Sequence, residues 1–253
     1  MRKIFYFALL TVKQATREKS FWLGWFLLIA LIGFALFLGE LTAGEKEIVL
    51  RNAQFSFIEL SGLFLIVFGF IYGFYREKET RLQEVYLTCF SRPVYLCGKL
   101  LGYIVSCGMY ILLASLLCSV FLWANHAFIW QLFWGSFSIF LKLSILCGVS
   151  LVFSCLFEFP LMASVSTLFV YVSGETAYNA FKIIKESAHP VSKMLFTAVY
   201  HLLPSADKVD FKYPALYGDS PAVTRLLLVT AYAGAYVLFT YCLANVIFER
   251  KKN

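Results

Sequence analysis

Charged side chains are scarce in this sequence of 253 residues, where they make up 15%. An ordinary soluble domain has about 25%. Hydrophobic residues make up 60% of the chain, and 27 residues are phenylalanine. A soluble fold of this size cannot bury so much apolar surface, whereas a lipid bilayer removes it from water without a protein core. The composition therefore predicts an integral membrane protein.

Sequence motifs for catalysis are also absent. The chain has no GxxxxGK[ST] loop for nucleotide phosphates, no HExxH zinc pair and no GxSxG nucleophile elbow. The only aspartates are Asp207, Asp210 and Asp219, in a segment that we place outside the membrane, so intramembrane aspartate proteolysis is excluded. We expect neither an enzyme nor a bound cofactor.

Cysteine and histidine are not arranged as metal ligands. The seven cysteines include no CxxC pair, and the three histidines are scattered. No cysteine falls in the segments 40–59 and 175–225, which we place outside, so we predict no structural disulfide and no metal site. The net charge of +7 reflects basic cytoplasmic segments, and we expect no nucleic-acid partner.

Apolar stretches of about 20 residues predict membrane-spanning helices. We predict a single, all-α transmembrane domain over 1–253 with about six spans. An amphipathic segment at 2–19 predicts an N-terminal interfacial helix, with Ile4, Phe5, Leu9 and Val12 on one stripe. The apolar pattern within 181–217 predicts short amphipathic or re-entrant helices in the outer leaflet. The spans lie at about 20–39, 55–75, 100–124, 139–157, 159–178 and 222–248.

The basic residues orient these spans. Segments 1–19 and 76–99 and the C-terminal tail are rich in Lys and Arg, whereas 40–59 has two basic residues against four glutamates. The segment 175–225 has six basic residues, but long loops count less in this rule. We predict a multi-pass protein of the inner (cytoplasmic) membrane with both termini in the cytoplasm.

Three charged residues lie within or beside the predicted spans. They are Glu59 in the second, Lys142 near the start of the fourth and Glu175 at the end of the fifth. Burying a charge in lipid is costly, so such residues are candidates for function. We predict that they line a translocation path near the outer leaflet. The alternative is that each reaches the interface or pairs with another charge.

The loop after the second span predicts a cytoplasmic helix at about 77–90. Its apolar residues are Leu82, Val85, Tyr86 and Cys89, with the charges Arg81 and Glu84 beside them. The helix must end near Pro93, because proline lacks a backbone donor and restricts its predecessor. Such a helix could fill a groove on another protein or lie on lipid headgroups. The acids in the segment favour the protein groove, since anionic headgroups repel them.

The same loop carries an ordered set of polar, proline and glycine positions. They are Glu79, Thr80, Leu82, Glu84, Leu87, Ser91, Arg92, Pro93, Val94, Gly98 and Lys99. This set resembles the cytoplasmic loop of type-2 ABC exporter permeases, although here the Arg precedes the Pro and Tyr86–Thr88 replaces a more aliphatic stretch. The segment His201–Phe211 is similar to one before the last span in a branch of that family.

The resemblance implies a permease that pairs with a second copy or a homologue and recruits cytoplasmic ABC ATPase subunits. The loop helix (Arg81, Leu82, Glu84, Val85, Tyr86 and Cys89) would then couple ATP hydrolysis to the spans, with Tyr86 as its anchor. Membrane lipid is the remaining expected partner. The alternative is a non-transport membrane scaffold or assembly factor. An ion-coupled secondary transporter is disfavoured, because we expect no ionisable residue at mid-membrane and no internal repeat is evident.

The predicted topology can be tested by cysteine labelling. The substitutions Lys46→Cys, Lys208→Cys and Asn253→Cys are made singly in a variant without the native cysteines. A membrane-impermeant maleimide applied to intact cells should label positions 46 and 208, and should label 253 only after permeabilisation. Labelling of position 253 from outside would reverse the orientation.

Overall fold

The computed structural model describes residues 2–41, 46–187 and 206–250. Within these ranges all regular secondary structure is helical, and no β-strand occurs. Five helices there are long and apolar enough to cross a bilayer. They cover Lys19–Phe37, Lys46–Glu79, Arg92–Ala124, Leu132–Leu156 and Val223–Arg250. This part of the chain is therefore all-helical with five candidate spans, which is consistent with a multi-pass membrane protein.

The described residues form eleven α-helices and one π-helical segment. In chain order they are α1 (Arg2–Arg17), α2 (Lys19–Leu41), α3 (Lys46–Phe64), a π-helical segment (Leu65–Ile71), α4 (Tyr72–Glu79), α5 (Leu82–Cys89), α6 (Arg92–Ala124), α7 (Leu132–Leu156), α8 (Pro160–Ser187), α9 (Ala206–Val209), α10 (Lys212–Leu216) and α11 (Val223–Arg250).

The helix bounds differ from the predicted spans in several places, and α6 and α7 begin at Arg92 and Leu132, ahead of the predicted starts at about 100 and 139. The loop predicted over 40–59 is helical from Lys46 onward, so α3 begins well before the predicted span at 55. The fifth predicted span, 159–178, falls inside α8, which is not among the five candidates. The count of six spans therefore stays a prediction. Of the predicted outer segment, residues 188–205 lie outside the described residues.

Helix α7 forms the centre of the bundle, and 83% of its most apolar stretch is buried. Small residues allow this, because they let neighbouring helices approach closely. A Cβ at Gly148 would overlap the Thr240 hydroxyl of α11, and one at Gly135 would overlap the Phe55 ring of α3. These contacts place α3 and α11 directly against α7.

A π-helical segment, Leu65–Ile71, interrupts the long rod formed by α3 and α4. Most of its side chains are buried. The Tyr103 hydroxyl of α6 donates a hydrogen bond to the Phe70 carbonyl oxygen at 3.0 Å, and the two rings stack with centroids 4.4 Å apart. The wider turn is thus tied to α6 by both a hydrogen bond and a ring contact.

Helix α1 has two apolar faces. Phe7, Thr11 and Ala15 are buried, and this face packs against α6 at Gly98 and Gly102. The stripe predicted from the sequence points elsewhere, since Phe5 is 67% exposed and Leu9 is 53% exposed. A helix that packs on the bundle and still exposes apolar side chains suits a membrane interface, so the interfacial location stays a prediction with a physical basis.

The contact between α1 and α6 predicts that Gly102→Ala destabilises the protein. The new Cβ would lie 2.5 Å from Thr11 Cβ and 3.0 Å from the Ala8 carbonyl oxygen. Overpacking of this kind lowers the free energy of unfolding by about 1–3 kcal/mol. Thermal unfolding in detergent, followed by tryptophan fluorescence, measures the effect.

The matched control is Gly33→Ala in α2, because a Cβ at Gly33 meets nothing within 4 Å. It should leave stability unchanged or raise it by up to about 1 kcal/mol through the greater helix propensity of alanine. An equal loss in both variants would show that crowding of α1 against α6 is not the cause.

Candidate functional site

The three charged residues predicted within the spans come together in one cluster. The Lys142 ammonium lies 2.9 Å from Glu59 Oε1 and 2.5 Å from Glu175 Oε1. The Lys212 ammonium pairs with the other Glu59 oxygen, Oε2. We call Glu59, Lys142, Glu175 and Lys212 the Lys142 cluster. Two carboxylates and two ammonium groups balance one another within it.

Four different helices supply this cluster. Glu59 comes from α3, Lys142 from α7, Glu175 from α8 and Lys212 from α10. Glu59 and Lys142 are each 6% exposed, whereas the Glu175 side chain is 36% exposed. Lys142 was predicted near the start of its span, but α7 begins at Leu132, so it lies nearer the middle of the helix. The cluster therefore joins the bundle interior to its surface at Glu175.

The segment before α10 is fixed to α7 beside this cluster. The Ser138 hydroxyl donates to the Val209 carbonyl at 2.8 Å, and the Phe211 N–H donates to the same hydroxyl oxygen at 3.2 Å. The Lys212 N–H donates to the Asp210 carboxylate at 2.8 Å. This short segment thus presents Lys212 to Glu59.

Glu59, Lys142 and Glu175 pair with one another, as the alternative interpretation of these residues proposed. Lys212 was not predicted to belong to this site, because its segment was predicted to lie outside the membrane. The only available signal was the odd presence of six basic residues in 175–225. Whether the cluster lines a translocation path stays a prediction.

A second buried ionic group lies near the other end of the same rod. The Glu77 carboxylate pairs with the Lys99 ammonium and accepts a hydrogen bond from the Tyr95 hydroxyl at 3.0 Å. We call Glu77, Tyr95 and Lys99 the Glu77 cluster. Glu77 and Lys99 are each 1% exposed. Both were predicted to be residues of the cytoplasmic loop, and the continuation of α4 to Glu79 is what turns Glu77 inward.

The helix predicted over 77–90 is divided in two, which corrects that prediction. Residues 77–79 end α4, and α5 begins at Leu82. Arg81 has a left-handed backbone, φ 57°. The Thr80 hydroxyl donates to the Arg76 carbonyl at 2.8 Å, a local bond that competes with continuation of the helix. α5 does end before Pro93, which lies in the first turn of α6.

Most of the predicted coupling residues face outward. Those that are exposed are Arg81, Leu82, Glu84, Val85 and Cys89. Tyr86, predicted as the anchor, is partly buried against its own chain: its ring centroid lies 5.2 Å from that of Phe7 and 6.4 Å from that of Tyr95. The outward apolar surface of α5 therefore consists mainly of Leu82 and Val85, while Tyr86 connects α5 to the bundle.

No protein-family model matches this chain, and a comparison with curated proteins finds no match either. In the part of the chain that the structure describes, no group of three His, Cys, Asp or Glu side chains is placed to hold a metal ion. The two buried clusters and the exposed face of α5 are the distinctive chemical features of the described residues.

The Lys142 cluster predicts a specific pattern of stabilities. Lys142→Met leaves two carboxylates facing one ammonium and should lower the free energy of unfolding by about 3 kcal/mol. This is the low end for breaking a buried pair, because Glu175 is partly exposed and Glu59 keeps Lys212. Denaturant unfolding in detergent micelles measures it.

The double variant Lys142→Met/Glu175→Gln restores the charge balance, since one carboxylate again faces one ammonium. It should recover most of the lost stability. Lys46→Met, which removes an exposed lysine, is the control and should change little. A double variant no more stable than Lys142→Met would contradict charge balance as the organising principle.

Proposed function

We propose that this chain is the membrane-spanning permease subunit of an ABC exporter. In this proposal it has about six spans, lies in the inner membrane with both termini in the cytoplasm, and pairs with a second copy or a homologue. ATP hydrolysis takes place in separate ATPase subunits. The observation that carries the proposal is α5, a short helix between the rod of α3 and α4 and the long helix α6. One face of α5 is exposed and carries apolar and charged residues, and the other face contacts the bundle.

The exposed face of α5 suits a protein groove. Leu82 is 41% exposed and Val85 is 57% exposed, one turn apart on the same side. Arg81 and Glu84 flank them and are exposed as well. An apolar centre with charges at its rim is the usual composition of a docking surface between proteins.

The inner face of α5 provides a route by which movement passes to the spans. Tyr86 packs against Tyr95 of α6, whose hydroxyl bonds Glu77 of α4, and Glu77 pairs with Lys99 of α6. A displacement of α5 therefore acts on α4 and α6 together, because the Glu77 cluster holds those two helices by buried bonds.

The Lys142 cluster has a role at the other end of the bundle in this proposal. It holds α3, α7, α8 and α10 together through three ion pairs. Separation of these helices would leave charges unpaired in a low-dielectric interior, which is unfavourable. The cluster thus keeps the outer end of the bundle closed. It opens when ATP-driven movement separates the helices and the transported substrate or water solvates the separated charges.

Docking of the ATPase can be tested with Leu82→Ala/Val85→Ala. Central apolar residues in such a groove contribute about 2 kcal/mol or more when they are hot spots, so the partner ATPase should be lost during detergent purification. The control Leu227→Ala/Leu228→Ala removes an equally apolar, exposed pair from α11 and should retain it. Quantitative mass spectrometry of the purified complexes gives the stoichiometry.

Two further variants separate docking from transmission. Glu84→Lys should weaken docking in a salt-dependent way, because a rim charge is screened by ions. Tyr86→Ala should leave more ATPase bound than the Leu82/Val85 variant but reduce stimulated hydrolysis, since it removes the contact with Tyr95. If no ATPase co-purifies with the unmodified chain from native membranes, the exporter proposal fails and a membrane scaffold takes its place.

A further inference from the structure

A basic groove lies where α1 meets α2, between these helices and the α4–α5 turn. Its volume is about 810 Å³. The residues that line it are Leu10, Lys13, Gln14, Arg17, Glu18, Lys19, Ser20, Arg76, Leu82 and Tyr86. Four of these are basic and one is acidic. We call this the elbow groove.

The positive charge of the elbow groove is largely uncompensated. Glu18 is already engaged, because Arg76 Nη2 lies 2.7 Å from its Oε1. Burial also raises the pKa of Glu18 above its ordinary value. Lys13, Arg17 and Lys19 are exposed and form no ion pair with any described residue. Three free cations thus face one cavity.

The one acidic residue of α5, Glu84, does not oppose this charge. Glu84 lies in the lining of a different pocket, together with Lys78 and Glu158. Repulsion of headgroups by Glu84 therefore does not act within the elbow groove, and Glu77 is already paired with Lys99 in the interior. On the side of the elbow groove, α5 contributes Leu82 and Tyr86.

Exposed apolar side chains lie on the two helices, α1 and α2, that meet at the basic groove. Leu10 is 44% exposed at its wall. On the same helix the exposed apolar residues are Phe5, Tyr6 and Leu9, and Trp22 is 68% exposed at the beginning of α2. Basic and apolar side chains therefore lie next to one another at the end of a candidate span. This arrangement suits a phospholipid, whose phosphate can contact the basic residues while its acyl chains lie along the helix.

We infer that the elbow groove binds the headgroup of an anionic phospholipid in the cytoplasmic leaflet. The assignment to the cytoplasmic leaflet depends on the orientation in the proposed function, whereas the binding of the lipid does not. A phospholipid fits better than a soluble phosphate, because the exposed apolar residues of α1 and α2 provide a place for its chains. The bound headgroup contacts α1, α2 and α4, so it also fixes the position of α1 beside α5.

The test is native mass spectrometry of the delipidated protein, titrated with phosphatidylglycerol or phosphatidylcholine in detergent. We expect one tightly bound phosphatidylglycerol and no comparable phosphatidylcholine. Lys13→Gln/Arg17→Gln/Lys19→Gln should weaken this binding about 100-fold, which corresponds to about 3 kcal/mol for three basic residues. Lys13→Arg/Lys19→Arg should retain it and show that the folded groove tolerates substitution.

The matched control is Arg250→Gln/Lys251→Gln/Lys252→Gln, which removes the same charge from the C-terminal tail and should leave the affinity unchanged. Glycerol 3-phosphate should not displace the lipid. Equal binding of phosphatidylcholine, equal weakening by the tail variant, or displacement by glycerol 3-phosphate would each overturn the inference. These measurements contain no ATPase. A negative result here therefore does not contradict the exporter proposal, and a failure of the exporter proposal does not contradict lipid binding.

Discussion

Charges buried among apolar helices must be paired, and this constraint determines how the bundle is assembled. A lone carboxylate in such an interior loses its hydration without compensation, at a cost of several kcal/mol. Glu59 accordingly lies between two ammonium groups, and Glu77 lies between Lys99 and the Tyr95 hydroxyl. Because the partners come from different helices, each pairing also fixes the distance between two helices.

Close packing makes these pairings possible. Lys142 reaches Glu59 only because α3 and α7 approach closely, with Gly62 against Leu143 and Gly135 against Phe55. The charges and the small residues therefore support one another. A lipid solvent provides little hydrophobic drive for helices to associate, so contacts of both kinds carry the tertiary structure.

The sequence was sufficient for the all-helical, multi-pass class, because composition and apolar length depend on no tertiary contact. It also located the end of α5, where Pro93 acts locally. It did not reveal the break at Arg81 or the burial of Glu77. The pattern of a charged segment is the same whether its helix continues or ends. Lys212 was missed for a related reason: its partner Glu59 is distant in sequence, and only folding brings the two together.

The π-helical segment Leu65–Ile71 changes the direction in which later side chains project from the rod of α3 and α4. Residues 59 and 77 are about five turns apart in an ideal α-helix, at 3.6 residues per turn, so both carboxylates would project from one side. The wider i→i+5 turn takes more residues per revolution and rotates everything after it. Glu59 thus meets α7 while Glu77 meets α6. Because of this irregular segment, a single rod pairs with two neighbouring helices, through Glu59 with α7 and through Glu77 with α6.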